Sequence, residues 1–93
     1  MTKVAERLII SGQVQGVGFR AWMIREARVL GVRGWVRNRA DGTVEARLEG
    51  APGPVSTLRE LCRQGPVWAA VEKVASEPAP PAPPVGAGWL RLE

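Results

Sequence analysis

The sequence predicts an α+β sandwich: a four-stranded antiparallel sheet with two helices on one face and a short fifth strand at the C-terminus. Three observations carry this expectation. Apolar spacing alternates between the strand period and the helix period in the order strand-helix-strand, strand-helix-strand. Glycine, proline or Asp-Gly punctuates the junctions. The 93 residues, 45% hydrophobic and 24% charged, are enough for one modest core and leave no room for a second.

Each element has its own signal. Residues 4–10, VAERLII, are β-branched and aliphatic and stop at Ser11-Gly12, which marks a first strand. Residues 13–19, QVQGVGF, carry two glycines two apart and read as a loop. From Arg20 to Leu30 the period changes to that of a helix: Phe19, Met23, Ala27 and Leu30 share one stripe, with Arg25 and Arg28 opposite. Gly31 is placed to end this helix in a left-handed conformation.

VRGWVRNR (32–39) then alternates with period two, and so does TVEARLE (43–49), with Val44, Ala46 and Leu48 on one face. A two-residue Asp-Gly turn between them would set Arg39 opposite Val44 and put a charge on the apolar face. A three-residue loop, Ala40 to Gly42 with Gly42 left-handed, pairs Asn38 with Val44, Arg37 with Glu45 and Arg33 with Glu49. The longer loop is therefore expected, and Arg33 and Arg37 become cross-strand partners of acidic residues.

Pro52 and Pro54 lead into a second helix over VSTLRELCR, with Val55, Leu58, Leu61 and Cys62 on one stripe and Gly65-Pro66 as its stop. Residues 67–76 make a weaker strand whose alternation slips between Val71 and Val74, the mark of a bulge. The proline-dense EPAPPAPP (77–84) is expected to be a stiff extended connector. Trp89, Leu90 and Leu92 read as the terminal edge strand.

This order suits the split βαβ, or ferredoxin-like, arrangement with right-handed crossovers. That topology gathers the loop after the first strand, the start of the first helix and the end of the second strand at one edge of the sheet. Loop 12–19, Arg20 and Asn38 are thus expected to be neighbours.

Composition narrows the chemistry. A chain without histidine excludes His-dependent triads and relays, and one cysteine, Cys62, makes neither an internal disulfide nor a zinc site. No apolar run is long enough to cross a bilayer as a helix, and the charged N-terminus is not a signal peptide, so a cytoplasmic protein without a membrane partner is expected. Of thirteen basic residues only Lys3 and Lys73 are lysine; the rest are arginine, whose planar fork suits phosphate, although codon bias and a solvated surface are the simpler account of such a composition.

The glycine loop is the main candidate site. Backbone amides at a helix start, with glycines allowing close approach, cradle an anion, and Arg20 in the first turn adds a charged donor. A cation there opposes the helix dipole, at about 0.3–1 kcal/mol, unless an anion lies between. The plainer alternative makes Gly16 and Gly18 turn residues and Arg20 a solvated side chain. Gly16-x-Gly18-x-x-Ala21 also satisfies a degenerate dinucleotide fingerprint, but Asp41 falls in a hairpin tip and the chain is too short for a doubly wound sheet. Asn38 sits where the pattern calls for an apolar residue; it either closes the strand by bonding the turn or presents its amide to a water beside the cradle. Trp22, Trp35, Trp68 and Trp89 are read as packing residues, Asp41 as a turn residue and Cys62 as core.

GQVQGVGFR (12–20) and GWVRNRADGTVEARLEG (34–50) closely resemble the two signature motifs of the acylphosphatase family in sequence, internal spacing and separation. The resemblance extends across essentially the whole chain, taking residues 1–93 as a single acylphosphatase-like domain, and departs from the family pattern at the proline-rich stretch and Trp89. It implies a ferredoxin-like enzyme that hydrolyses carboxyl phosphates to carboxylate and inorganic phosphate. By the same resemblance Arg20 binds the phosphoryl group, the amides of Gln15, Gly16, Val17, Gly18, Phe19 and Arg20 form the cradle, and Asn38 orients the attacking water. No metal or other cofactor is expected; the partner is a small acyl phosphate substrate, inorganic phosphate is the product, and the chain is expected to be a monomer.

Two rivals belong to other classes. RNA-recognition modules share the element order, but they stack bases on third-strand aromatics that TVEARLE lacks, so no nucleic-acid partner is expected. Similar domains also occur fused within the hydrogenase-maturation carbamoyltransferase; the absence of a second domain in these 93 residues favours the free enzyme.

Overall fold

The computed structural model describes residues 2–80 and the backbone of Leu90–Leu92. The elements follow in the expected order: β1 (Val4–Gln13), α1 (Phe19–Leu30), β2 (Arg33–Asn38), β3 (Val44–Gly50), α2 (Pro52–Gln64), β4 (Ala70–Pro78) and β5 (Leu90–Leu92). The sheet order is β4-β1-β3-β2-β5; the first four strands pair antiparallel, and β5 adds to β2 in parallel. Trp89 and residues 81–84 of the proline-rich stretch lie outside the described residues.

One side of the sheet carries the core. Leu8 and Ile10 of β1, Val36 of β2, Val44, Ala46 and Leu48 of β3 and Val74 of β4 meet Phe19, Met23 and Ala27 of α1 and Val55, Leu58 and Cys62 of α2, all buried. Leu30 and Leu61 are only half-buried, at the borders of their stripes. Gly31 closes α1 at φ 75°, its N–H donating to the Ala27 carbonyl. Burial pushes the Cys62 thiol up to about 12, so it stays protonated and inert.

The hairpin takes the longer loop. Asn38 faces Val44, Arg37 faces Glu45 and Arg33 faces Glu49, and Gly42 is left-handed at φ 91°. Arg39 and Thr43 join by an N–H to carbonyl bond of 2.8 Å, and Asp41 holds the tip by accepting from the Thr43 amide and hydroxyl at 3.0 and 2.6 Å.

Three elements differ most from the sequence expectation at their boundaries. Strand β1 continues through Ser11-Gly12 to Gln13, because β4 pairs with it there through a bulge that sets Ser11 against Lys73 and Gly12 against Val71. Helix α2 starts at Pro52, since a proline in the first turn forfeits no helical hydrogen bond. Strand β4 starts at Ala70 and not at residue 67, because residues 67 and 68 lie in a turn, and it takes in Glu77 and Pro78, which an edge strand tolerates because the missing donor faces away from the ladder.

On the open face, Glu45 is 4% exposed and is shared by two arginines. It accepts from Arg7 Nε at 2.6 Å and from Arg37 Nε at 2.8 Å, while Arg7 also reaches Glu77 at 2.9 Å and Arg37 lies 5.0 Å over the Trp35 ring. The expected Arg37–Glu45 pair is therefore made. The facing Arg33 and Glu49 form no ion pair among the described residues; Arg47, two positions along the same strand, takes Glu49 at 2.9 Å and is itself held by the Pro80 carbonyl.

Two predictions follow from these contacts. A Cβ at Gly12 would stand 2.2 Å from the Ala70 carbonyl oxygen, at φ 118°, with backbone on the opposing side. Gly12→Ala is expected to lower stability by about 3 kcal/mol in denaturant titration. Burial raises the Glu45 carboxyl, but hydrogen bonds from Arg37 and Arg7 outweigh it and hold the group below its ordinary 4.5. A depressed folded value means the contribution is complete above the unfolded pKa and is lost as pH falls through the folded one. Thermal melts should show the midpoint falling below about pH 4.5, and Glu45→Gln should flatten that slope while lowering stability at neutral pH by about 1–3 kcal/mol.

Candidate active site

Strand β1 lies between β4 and β3, and Val14 leaves its end buried in the core. The chain then bends through Gln15–Gly18 into α1. Gly16 and Gly18 hold left-handed conformations, at φ 75° and 80°, and Gly18 is the N-cap residue. Buried Phe19 and half-buried Val17 pin the loop to the core. A left-handed cap has no side chain to offer the helix amides, and the first turn of α1 contains no acidic residue.

The amides of Gln15 through Arg20 consequently donate to no backbone or side-chain acceptor among the described residues. These successive donors lie at the positive end of α1, where a helix favours negative charge. Arg20 is half-buried in the first turn and enters no ion pair among the described residues, unlike Arg7, Arg37, Arg47 and Arg59, each of which has a carboxylate.

Asn38 ends β2 in the row Ile10–Val44–Asn38, so the ends of β1 and β2 lie at the same rim. It continues the face of buried Val36 but is exposed, because it stands beyond the helices that cover that face. Its side chain makes no hydrogen bond among the described residues, so the turn-closing alternative falls to Asp41. Hydrogen bonds from Thr43 hold the Asp41 carboxyl below the usual carboxylate range, which fits a fixed turn residue.

One contact missed by the sequence reading ties these parts together. The Gln15 carboxamide donates to the carbonyls of Arg39 and Thr43, at 2.8 and 2.9 Å, across the neck of the hairpin. Its target is the main chain, which leaves no residue-type signal in the sequence. A second surprise is Trp68: it is not a packing residue but 64% exposed, beside Gly18. Trp22 and Trp35 do pack, on Phe19 with ring centroids 5.3 Å apart and beneath Arg37 respectively.

Among the described residues no cluster of three or more His, Cys, Asp or Glu is placed to hold a metal ion, and no helix is long and apolar enough to cross a membrane. The chemistry within reach is anion binding by fixed dipoles and a guanidinium, beside a neutral carboxamide.

Comparison with known proteins identifies the family. Residues 6–86 match the family described as Acylphosphatase. The chain is 48% identical to an acylphosphatase of Rhodopseudomonas palustris over 81 residues, spanning 87% of this chain and 82% of that one. It is 52% identical to an acylphosphatase of Acidiphilium cryptum over 82 residues, spanning 87% and 90%. The solved structure of an acylphosphatase from Coxiella burnetii superposes with a TM-score of 0.89 at 31% identity, covering 98% of this chain and 93% of the other. Family match, identity over most of both chains and shared fold agree: the chain belongs to the acylphosphatase family.

Proposed function

We propose that this chain hydrolyses the carboxyl-phosphate bond of small acyl phosphates with Arg20 and the amides of Gln15, Gly16, Val17, Gly18, Phe19 and Arg20 holding the phosphoryl group and Asn38 positioning the attacking water. The observation that carries the assignment is the run of amides without acceptors, beside an arginine without an ion pair, among the described residues.

A mixed anhydride has a good leaving group, so the reaction needs charge neutralisation and alignment more than covalent help. The water oxygen attacks phosphorus as the bond from phosphorus to the acyl oxygen breaks, and the carboxylate leaves with the bonding pair. The cradle and Arg20 stabilise charge on the equatorial oxygens; they are in place beforehand and pay no reorganisation during the reaction. Asn38 accepts from the water through its carbonyl and fixes the line of attack. A chain without histidine offers no neutral-range base at this rim, so the water's proton goes to a phosphoryl oxygen of the substrate itself.

A monomer acting in the cytoplasm, without a nucleic-acid partner, fits this role. The open face of β3 presents Glu45, Arg47 and Glu49 and no stacking aromatic, and a small substrate needs only the residues of one chain.

Phosphate release from acetyl or benzoyl phosphate tests the roles separately. Arg20→Ala is expected to lower kcat/KM about 100- to 1,000-fold and to weaken competitive inhibition by inorganic phosphate. Asn38→Ala should cost a similar factor in kcat and spare phosphate inhibition; wild-type turnover in either variant overturns the assignment. Activity is also expected to survive exhaustive chelation and to show no bell-shaped profile between about pH 5 and 8, because neither a guanidinium nor a carboxamide changes charge in that range.

A further inference from the structure

Residues 65–69 form the turn between α2 and β4, and this turn is seated on the cradle. Gly65 is left-handed at φ 67°, and a Cβ there would stand 3.1 Å from Phe19 Cε2 and 3.1 Å from Val71 Cγ2. The Ala69 N–H donates to the Pro66 carbonyl at 3.0 Å, which sets Val67 and Trp68 at the tip. Trp68 leans over the cap of α1: a Cβ at Gly18 would be 3.5 Å from its indole Nε1. Val67 and Trp68 are nevertheless 92% and 64% exposed, so neither serves the core.

The sheet order says which part of a substrate meets them. Ala70 of β4 pairs with Gln13 at the end of β1, on one flank of the cradle. Asn38 stands on the other flank, beyond β3. An in-line displacement places the attacking water and the leaving oxygen on opposite sides of phosphorus. With Asn38 on the water side, the leaving carboxylate and the acyl group attached to it emerge on the side of Trp68. An indole there offers a rigid apolar wall at small entropic cost, and its N–H has no acceptor among the described residues.

We infer that Trp68, with Val67 beside it, is the specificity-determining surface for the acyl group and favours aromatic or extended apolar acyl phosphates over acetyl phosphate. This rests on the roles proposed above for Arg20 and Asn38, because they set the direction of attack.

The test compares kcat/KM for benzoyl phosphate and acetyl phosphate in the wild type, Trp68→Ala and Trp68→Phe, with thermal melts as a check on folding. Trp68→Ala is expected to lower the benzoyl-to-acetyl ratio about tenfold, chiefly through KM for benzoyl phosphate, and Trp68→Phe to keep most of it. A ratio unmoved in Trp68→Ala, or an equal loss on both substrates, overturns this inference and leaves the catalytic reading standing. Failure of the wild type to hydrolyse either substrate overturns both.

Discussion

The site depends on where β1 ends. This strand is hydrogen-bonded to β3 on one side and β4 on the other, and its pairing with β4 continues through a bulge to Gln13. Gly12, with a carbonyl of β4 where a side chain would go, leaves the strand end no lateral freedom. The next residues bury Val14 and Phe19 and clamp the Gln15 carboxamide across the hairpin neck. Between these fixed points the backbone turns through two left-handed glycines and holds its amides outward. The loop is thus held from both sides by strand pairing, buried side chains and the Gln15 bonds.

Arginine serves two purposes in this molecule. On the open face Arg7 and Arg37 share Glu45 and lace neighbouring strands together, with Arg47 closing on Glu49. Those charges are satisfied internally. Arg20 is held apart from that lattice at the positive end of α1, where the helix dipole adds to its field and no carboxylate of the first turn subtracts from it. The net charge of +4 is thus less informative than its distribution: what sets Arg20 apart is its place at the positive end of α1, with no ion pair among the described residues.

The fold was largely legible in the sequence because its period changes are clean and its turns obey simple steric rules. The hairpin register came from refusing to bury Arg39 opposite Val44, and Gly42 adopts the conformation that choice requires. The bulge in β4 showed as slipped alternation between Val71 and Val74. The loop with its left-handed turns was legible in the two glycines of its sequence. Less accessible were features that depend on where the main chain passes. Gln15 bonds carbonyls, which every residue has; Asn38 lies past the edge of the helix layer, which periodicity cannot locate; Trp68 is exposed because the turn that carries it stands on Gly18, a proximity written nowhere in its local sequence. The resemblance to acylphosphatases names the groups proposed to react, and the geometry shows which contacts surround them.

The pairing of Arg7 with Glu77, 70 positions apart, has a kinetic corollary. Because β1 is flanked by the third and fourth strands, a nascent chain emerging from the ribosome carries this interior strand ahead of both its neighbours and must wait for most of the polypeptide before its second margin is covered. Such non-local closure slows folding and leaves hydrogen-bonding groups bare in the interval. The alternating charges Glu6 and Arg7 in that strand then act as sentinels against wrong pairing between chains, a duty discharged before the molecule meets any substrate.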